Sequence, residues 1–156
     1  MAVKKITKPQ WEYQGKIIEG LKDMPPNTIG IIYRIENLDT GKYYIGRRTV
    51  CGNKKRKLTL SEKKLPENLR KTWAYELKES SGWKTYCGSN TTLKAEVAEG
   101  ANIKKYILHY CFSKAEITYR ESAEIICSGA LEDVLAYNDW VKCTIYKKHL
   151  ISAKKE

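Results

Sequence analysis

The sequence predicts a small α/β domain, in which a three-stranded antiparallel sheet is flanked by helices. Three observations predict it. Residues 29–48, I-G-I-I-Y-R-I-E-N-L-D-T-G-K-Y-Y-I-G-R-R, read as a strand, a turn and a returning strand. Residues 103–112, I-K-K-Y-I-L-H-Y-C-F, are rich in β formers and supply a third strand. Residues 91–99 and 113–127 carry helical signatures. At 156 residues the chain suits one domain of ordinary size. We divide it into an N-terminal cap segment (1–27), a main domain (28–150) with a basic insertion at 51–72, and a basic tail (151–156).

In chain order, residues 9–22 read as a short helix, with Trp11, Ile18 and Leu21 near one face, although Gly15 and Gly20 weaken it. Met24-Pro25-Pro26-Asn27 ends that segment and leads into the hairpin. The hairpin turn is Asn37-Leu38-Asp39-Thr40-Gly41, whose Asn, Asp and Gly tolerate the backbone angles of a tight reversal. Tyr33 and Tyr44 are placed so that their phenols can meet on one face of the hairpin.

The stretch 51–72 holds eight Lys or Arg residues, densest at Lys54, Lys55, Arg56 and Lys57 and including Arg70. It reads either as a solvated loop or, directly after the hairpin, as an arm that tracks phosphates, and it is expected to be mobile without ligand. Leu69, Trp73 and Leu77, spaced i, i+4, i+8, predict a helix over 67–79. The segment W-K-T-Y-C-G-S-N (83–90) is either an aromatic plug or a groove edge, with Lys84 on phosphate and Tyr86 near the hairpin tyrosines.

Residues 91–99, which include Lys94, read as a helix ended by Gly100. His109 in the 103–112 strand reads as a structural residue. Ser113 and Glu116 form a capping box, and the helix they open runs to about Cys127. Its wheel places Ala115, Tyr119, Ser122, Ala123 and Ile126 toward the sheet and Glu121 roughly opposite, where spacing alone makes Glu121 an ordinary solvated charge. Ser128-Gly129-Ala130 breaks this helix, and Tyr137-Asn138 follows.

The formal charge is +11, from 29 Lys and Arg against 18 Asp and Glu. That excess favours a polyanion: DNA, RNA or an anionic membrane surface. No apolar run approaches the roughly 20 residues of a membrane helix. The basic start lacks an apolar signal core. A soluble cytoplasmic protein that binds nucleic acid is therefore expected. Hydrophobic residues make up 42%, which rules out wholesale disorder. The five cysteines (51, 87, 111, 127 and 143) show no zinc-ligand spacing and read as reduced, mostly core residues.

Gly30-Ile31-Ile32-Tyr33, ten residues, then Tyr44-Ile45-Gly46 resembles the signature of the GIY-YIG nuclease superfamily, with the first triplet lengthened to G-I-I-Y. The resemblance implies metal-dependent hydrolysis of DNA phosphodiester bonds. It implies one divalent ion, Mg²⁺ or another such as Mn²⁺, held by Glu121, which matches the family's single glutamate on the helix after the third strand; Glu124 is the nearest competitor. It gives Tyr33 the part of general base and Tyr44 that of orienting water or phosphate. Arg47 and Arg48 would ease the ionisation of Tyr33 and stabilise the transition state. Asn138 matches the Tyr-Asn pair that many members carry after the glutamate helix.

The chain departs from the family at the arginine usually found on the helix after the second strand. Arg70 lies in the insertion and the 91–99 helix offers only Lys94, so Arg47 or Arg48 is expected to take that part. The residues expected to hold nucleic acid are Lys54, Lys55, Arg56, Lys57, Arg70, Lys84, Tyr86 and Lys94. DNA is the expected partner and RNA the alternative, with no membrane role. W-K-x-Y-x-G-S resembles an element of a phage-associated branch, which would place the protein in the host cytoplasm. The alternative function is a non-catalytic DNA- or RNA-binding module on the same fold.

Overall fold

The run of apolar residues that begins at Gly30 forms a strand buried on both faces, which is why it reads as a continuous I-I-Y stretch rather than an alternating one. In the computed structural model, which describes residues 8–144 and 146–152, this strand is β3 (Gly30–Asn37). It pairs antiparallel with β4 (Tyr43–Thr49) on one side and with β7 (Ile103–Cys111) on the other. The turn between β3 and β4 closes by Gly41 N–H donating to the Asn37 carbonyl, with Gly41 at φ +75°.

The sheet is larger than expected. It has five strands, β2 (Lys16–Ile18), β1 (Trp11–Tyr13), β7, β3 and β4 in that spatial order, and is mixed, because β1 runs parallel to β7. Its extra strands come from residues 9–22, which are not a helix: β1 and β2 form a hairpin. Gln14 and Gly15, at φ +48° and +82°, make the two-residue reversal. Trp11 and Ile18 are cross-strand partners in this hairpin and both are buried. Their seven-residue spacing fits a helix face equally well, so periodicity pointed the wrong way.

The segment after β4 also differs from expectation. β5 (Cys51–Lys57) and β6 (Trp73–Glu79) form a separate two-stranded antiparallel ribbon. The basic run Lys54–Lys57 is thus strand, and the helix predicted over 67–79 is replaced by a 3-10 turn at Pro66–Asn68 followed by β6. A four-residue spacing is also an even one, so Trp73 and Leu77 share a strand face as readily as a helix face. Between the strands lies α1 (Leu60–Lys63), capped by Thr59 and Glu62. Arg56 bonds Glu62 (2.6 Å) and also Glu76, tying this connection to both strands.

α2 (Thr91–Ala98) and α3 (Lys114–Cys127) form where expected. Ser113 Oγ accepts from the Glu116 amide, while the Glu116 carboxylate accepts from Phe112 N–H. The buried residues of α3 are Ile117, Ser122 and Ile125, whereas Tyr119 and Ile126 are exposed, so the packing stripe is turned from the one predicted. Glu121 falls between Ile117 and Ile125, on the sheet side. The strand residues Ile32, Tyr43, Ile45 and Cys111 receive this stripe. On the opposite face Trp11, Ile31, Tyr33, Ile35, Trp83, Leu93 and Ile107 form the other core. A bulge between β3 and β7 falls at Leu108, just before His109, which meets Glu124 on α3 at 2.5 Å.

Of the cysteines, all free, Cys51 and Cys111 are buried and Cys87 is half-buried; Cys127 and Cys143 are exposed rather than core. α4 (Lys147–Ser152) closes the described chain. Of the predicted tail, 151–156, the first two residues end α4 and the rest lies outside the described residues. Among those residues no helix is long and apolar enough to cross a membrane.

Candidate active site

The two glycine-tyrosine triplets meet across the β3–β4 ladder. Tyr33 lies opposite Gly46, and Ile35 opposite Tyr44, so the two phenols are diagonal neighbours with ring centroids 6.2 Å apart. A Cβ on Gly46 would sit 2.5 Å from the Tyr33 hydroxyl and 2.8 Å from Tyr44 Cε1. Only a residue without a side chain lets the rings cross there. At Gly30 a Cβ would sit 2.4 Å from Ile117 Cδ1, so this glycine seats α3 on the sheet.

Tyr33 is fully buried, between Trp11, Tyr44 and Tyr86, and its hydroxyl has no hydrogen-bond partner. Burial pushes its pKa well above the ordinary phenol value, and the neighbouring Tyr86, Tyr44 and Glu121 add to the shift. The expectation that Arg47 and Arg48 ease its ionisation is therefore overturned. The alternation of β4 sends the two arginines to opposite faces. Arg48 stacks over Tyr86, 4.5 Å from the ring centroid, and donates to the Ser81 carbonyl. Arg47 turns toward α3, where its Nε lies 3.2 Å from Glu121 Oε2 and its Nη1 donates to Thr118 Oγ1 at 2.8 Å.

Glu121 thus faces the hairpin. Burial raises its pKa, and Arg47 opposes that shift. Tyr44, partly exposed, shares a 2.8 Å hydrogen bond with Ser89. Burial raises its pKa too; Ser89 and Arg47 act in the other direction, while Glu121 and Tyr86 add to the rise. Asn138 grips β4: its Oδ1 accepts from Ile45 N–H at 3.0 Å and its Nδ2 donates to the Ile45 carbonyl at 2.8 Å. With Tyr137 N–H donating to the Tyr43 carbonyl, this segment covers the outer edge of the sheet. Tyr44, Arg47, Ser89, Glu121 and Asn138 line one cleft of about 660 Å³ along that edge.

A family model described as "Putative endonuclease segE, GIY-YIG domain" matches residues 11–141. The chain belongs to this family. The match begins at β1, so the N-terminal hairpin is inside the family domain. No curated protein and no solved structure matches the chain.

Within this GIY-YIG domain the donor set limits which metal fits. Among the described residues no three His, Cys, Asp or Glu side chains converge into a metal cage. Glu121 brings one carboxylate, 22% exposed, to the cleft, where Asp139 also lines the wall. One carboxylate beside open space suits a hard divalent ion that keeps several waters and takes substrate phosphate as ligand, as Mg²⁺ does. Glu124, the competing glutamate, is occupied by His109 and does not line the cleft.

The other predicted residues are dispersed. Lys54, Lys55 and Lys57 are exposed on the ribbon, while Arg56 is held by its two glutamates. Arg70 is exposed in the connection before β6, and Lys94 is exposed on α2. Lys84 is exposed near Glu79, at 4.0 Å, and Tyr86 packs edge-on to Tyr33. Segment 83–90 is a plug at one end, where Trp83 is buried, its carbonyl accepts from Trp11 Nε1 and its own Nε1 donates to Glu79, and a groove edge at the other, where Ser89 and Asn90 line the cleft.

One supporting residue escaped the sequence reading. Lys105 is fully buried; its Nζ lies 4.2 Å from the Trp11 ring centroid and donates to the carbonyls of Lys84 (2.8 Å) and Tyr86 (2.9 Å). Desolvation lowers its pKa to about 8. The available signal was parity, since Lys105 stands between the inward Ile103 and Ile107 on one strand face.

Proposed function

We propose that this chain is a metal-dependent endonuclease that hydrolyses DNA phosphodiester bonds in the cleft beside β4. The observation that carries the reading is the convergence of Tyr44, Arg47, Glu121 and Asn138 on that one cleft, although they are up to 94 residues apart in sequence (44 to 138). Family membership supplies the reaction class. Glu121 would hold a Mg²⁺ or Mn²⁺ ion, which when bound contributes Lewis-acid stabilisation of charge at the phosphate and leaving oxygen.

The remaining roles belong to the chain's own groups. Arg47, about half exposed, presents a guanidinium to a phosphate in the cleft. Tyr44, at the wall of the cleft, orients the attacking water or the phosphate. Tyr33 lies deeper, fully buried, and burial favours its protonated form in this packing. Asn138 fixes the backbone of β4 and so the direction of Tyr44 and Arg47. Arg48 works through Tyr86, holding that ring against Tyr33.

Incubating the purified chain with supercoiled plasmid tests the reading. Conversion to open-circular or linear DNA in Mg²⁺ that stops in EDTA is the expected result. Salt-sensitive binding with no cleavage in either Mg²⁺ or Mn²⁺ would instead establish a non-catalytic binding module. A parallel RNA substrate distinguishes DNA from RNA cleavage.

A further inference from the structure

The β5–β6 ribbon is the largest feature that the cleft leaves unexplained. Its strands have seven residues each and pair only with one another. The register makes Lys55 partner to Tyr75, Lys57 to Trp73 and Asn53 to Leu77, so these six side chains share one face. That face is both apolar and exposed: Trp73 is 39%, Tyr75 68% and Leu77 52% accessible. It is also cationic, with the Lys55 ammonium 4.5 Å from the Trp73 ring centroid and that of Lys57 at 5.8 Å. The opposite face carries Lys54 and Lys78, while Arg56 is neutralised there by Glu62 and Glu76. An exposed aromatic face is otherwise an aggregation hazard, and lysines on it oppose protein partners while attracting polyanions.

We infer that this face of the ribbon, through Lys55, Lys57, Trp73 and Tyr75, docks in the major groove of duplex DNA. The inference rests on the DNA-cleaving reading above and names the part of the molecule that would grip substrate away from the cleft. Shape selects the duplex. A two-stranded ribbon is an element the roughly 12 Å major groove admits, and seven residues of strand span about 23 Å. Single-strand binders instead enclose the strand in a basic channel lined with stacking rings, whereas here the rings stand on an uncovered ribbon. Lys55 and Lys57 reach the flanking phosphates, and Trp73 and Tyr75 meet base edges and thymine methyl groups.

Fluorescence anisotropy with a labelled 20-base-pair duplex, in EDTA so that no cleavage intervenes, reads the affinity. A single strand of the same sequence serves as competitor. Lys55→Ala/Lys57→Ala should weaken duplex binding about tenfold or more and reduce the slope of log K against log salt by about two. Trp73→Ala/Tyr75→Ser should weaken it to a similar extent with the slope unchanged. Near-wild-type circular dichroism of each variant confirms folding, and Tyr75→Ser alone, at the most exposed ring, gives the same reading should the double variant not fold.

Wild-type affinity in both variants would overturn the inference. So would equal or tighter binding of the single strand, which would assign the face to stacking on unpaired bases. Plasmid nicking separates this outcome from the fate of the catalytic reading: a chain that nicks while its ribbon variants bind normally loses only the ribbon inference. A chain that never nicks but loses duplex binding on ribbon substitution retains it.

Discussion

Gly46→Ala is the perturbation whose consequence the fold defines most sharply. The added Cβ would lie 2.5 Å from the Tyr33 hydroxyl, 2.8 Å from Tyr33 Cζ and 2.8 Å from Tyr44 Cε1. Real Cβ atoms do not approach that closely, so two rings must move. Tyr33 is fully buried and hemmed in by Trp11 and Tyr86. Overpacking of this kind costs about 1–3 kcal/mol. In a chain of this size that is a fall in Tm of about 2–4 °C per kcal/mol.

Gly52→Ala on β5 is the matched control, because a Cβ there meets nothing within 4 Å. It should be neutral or stabilising by up to about 1 kcal/mol, since alanine restricts the unfolded chain. Urea titrations of the two variants and the wild type measure both effects, and the same preparations can be assayed for nicking. Gly46→Ala should lose activity beyond what its residual folded fraction explains, because Tyr33 and Tyr44 are displaced together. If Gly46→Ala matches Gly52→Ala in stability and activity, the crossing of the two phenols is not what the glycine serves.

Three further outcomes follow from the same geometry. Asn138→Ala leaves the Ile45 N–H and carbonyl without their partners and should destabilise by about 1–3 kcal/mol in urea unfolding, with nicking reduced as β4 loosens. Lys105 gives a pH signature. Its folded pKa, about 8, lies below the ordinary lysine value, so the unfolded chain binds more protons between the two and stability should rise with pH above 8. The contribution of Lys105 alone approaches about 3 kcal/mol for a shift of this size. Cys111, whose thiol burial pushes up to about 12, opposes it from about pH 9, and the buried tyrosines oppose it near pH 10, so the comparison with Lys105→Met isolates it. Lys105→Met should abolish the rise, and an unchanged pH profile in that variant would show that the buried ammonium is not its source. Tyr33→Phe should remain folded and lose most nicking, because only an unpartnered hydroxyl is removed.

The legible parts of the fold were those where one local pattern had one structural solution. The β3–β4 hairpin announced itself by two β-rich runs around an Asn/Asp/Gly turn. α3 announced itself by the Ser113 cap and the break at Gly129, which takes φ +68°. The misread elements were those where helix and strand periods coincide. Trp11 and Ile18 fit a helix face as well as a hairpin pair, and Trp73 and Leu77 fit both periods. Pairing between β5 and β6 decided the second case, and no single segment reveals its pairing partner.

The site shows the same division. The tyrosines, Glu121 and Asn138 were placed by resemblance, and the structure brings Tyr44, Glu121 and Asn138 to one cleft. The helical wheel put Glu121 on the wrong side because it followed Tyr119 and Ile126, which are exposed, rather than Ile117 and Ile125, which are buried. The arginines were expected to ease Tyr33 ionisation because they directly follow the Tyr44-Ile45-Gly46 triplet, but that position says nothing of strand alternation, which turns the two guanidinium groups to opposite faces. Desolvation by Trp11, Tyr44 and Tyr86 then dominates.

The most direct measurement compares wild type with Glu121→Gln in two assays on one plasmid substrate: nicking in Mg²⁺ and binding in EDTA. Glutamine keeps the shape of the side chain and removes its charge. The account predicts that the variant binds the plasmid within a few-fold of wild type and that nicking falls by at least a hundredfold. Nicking by Glu121→Gln at the wild-type rate, in a chain that still requires Mg²⁺, would contradict the assignment of the cleft beside β4 as the place where DNA is cut.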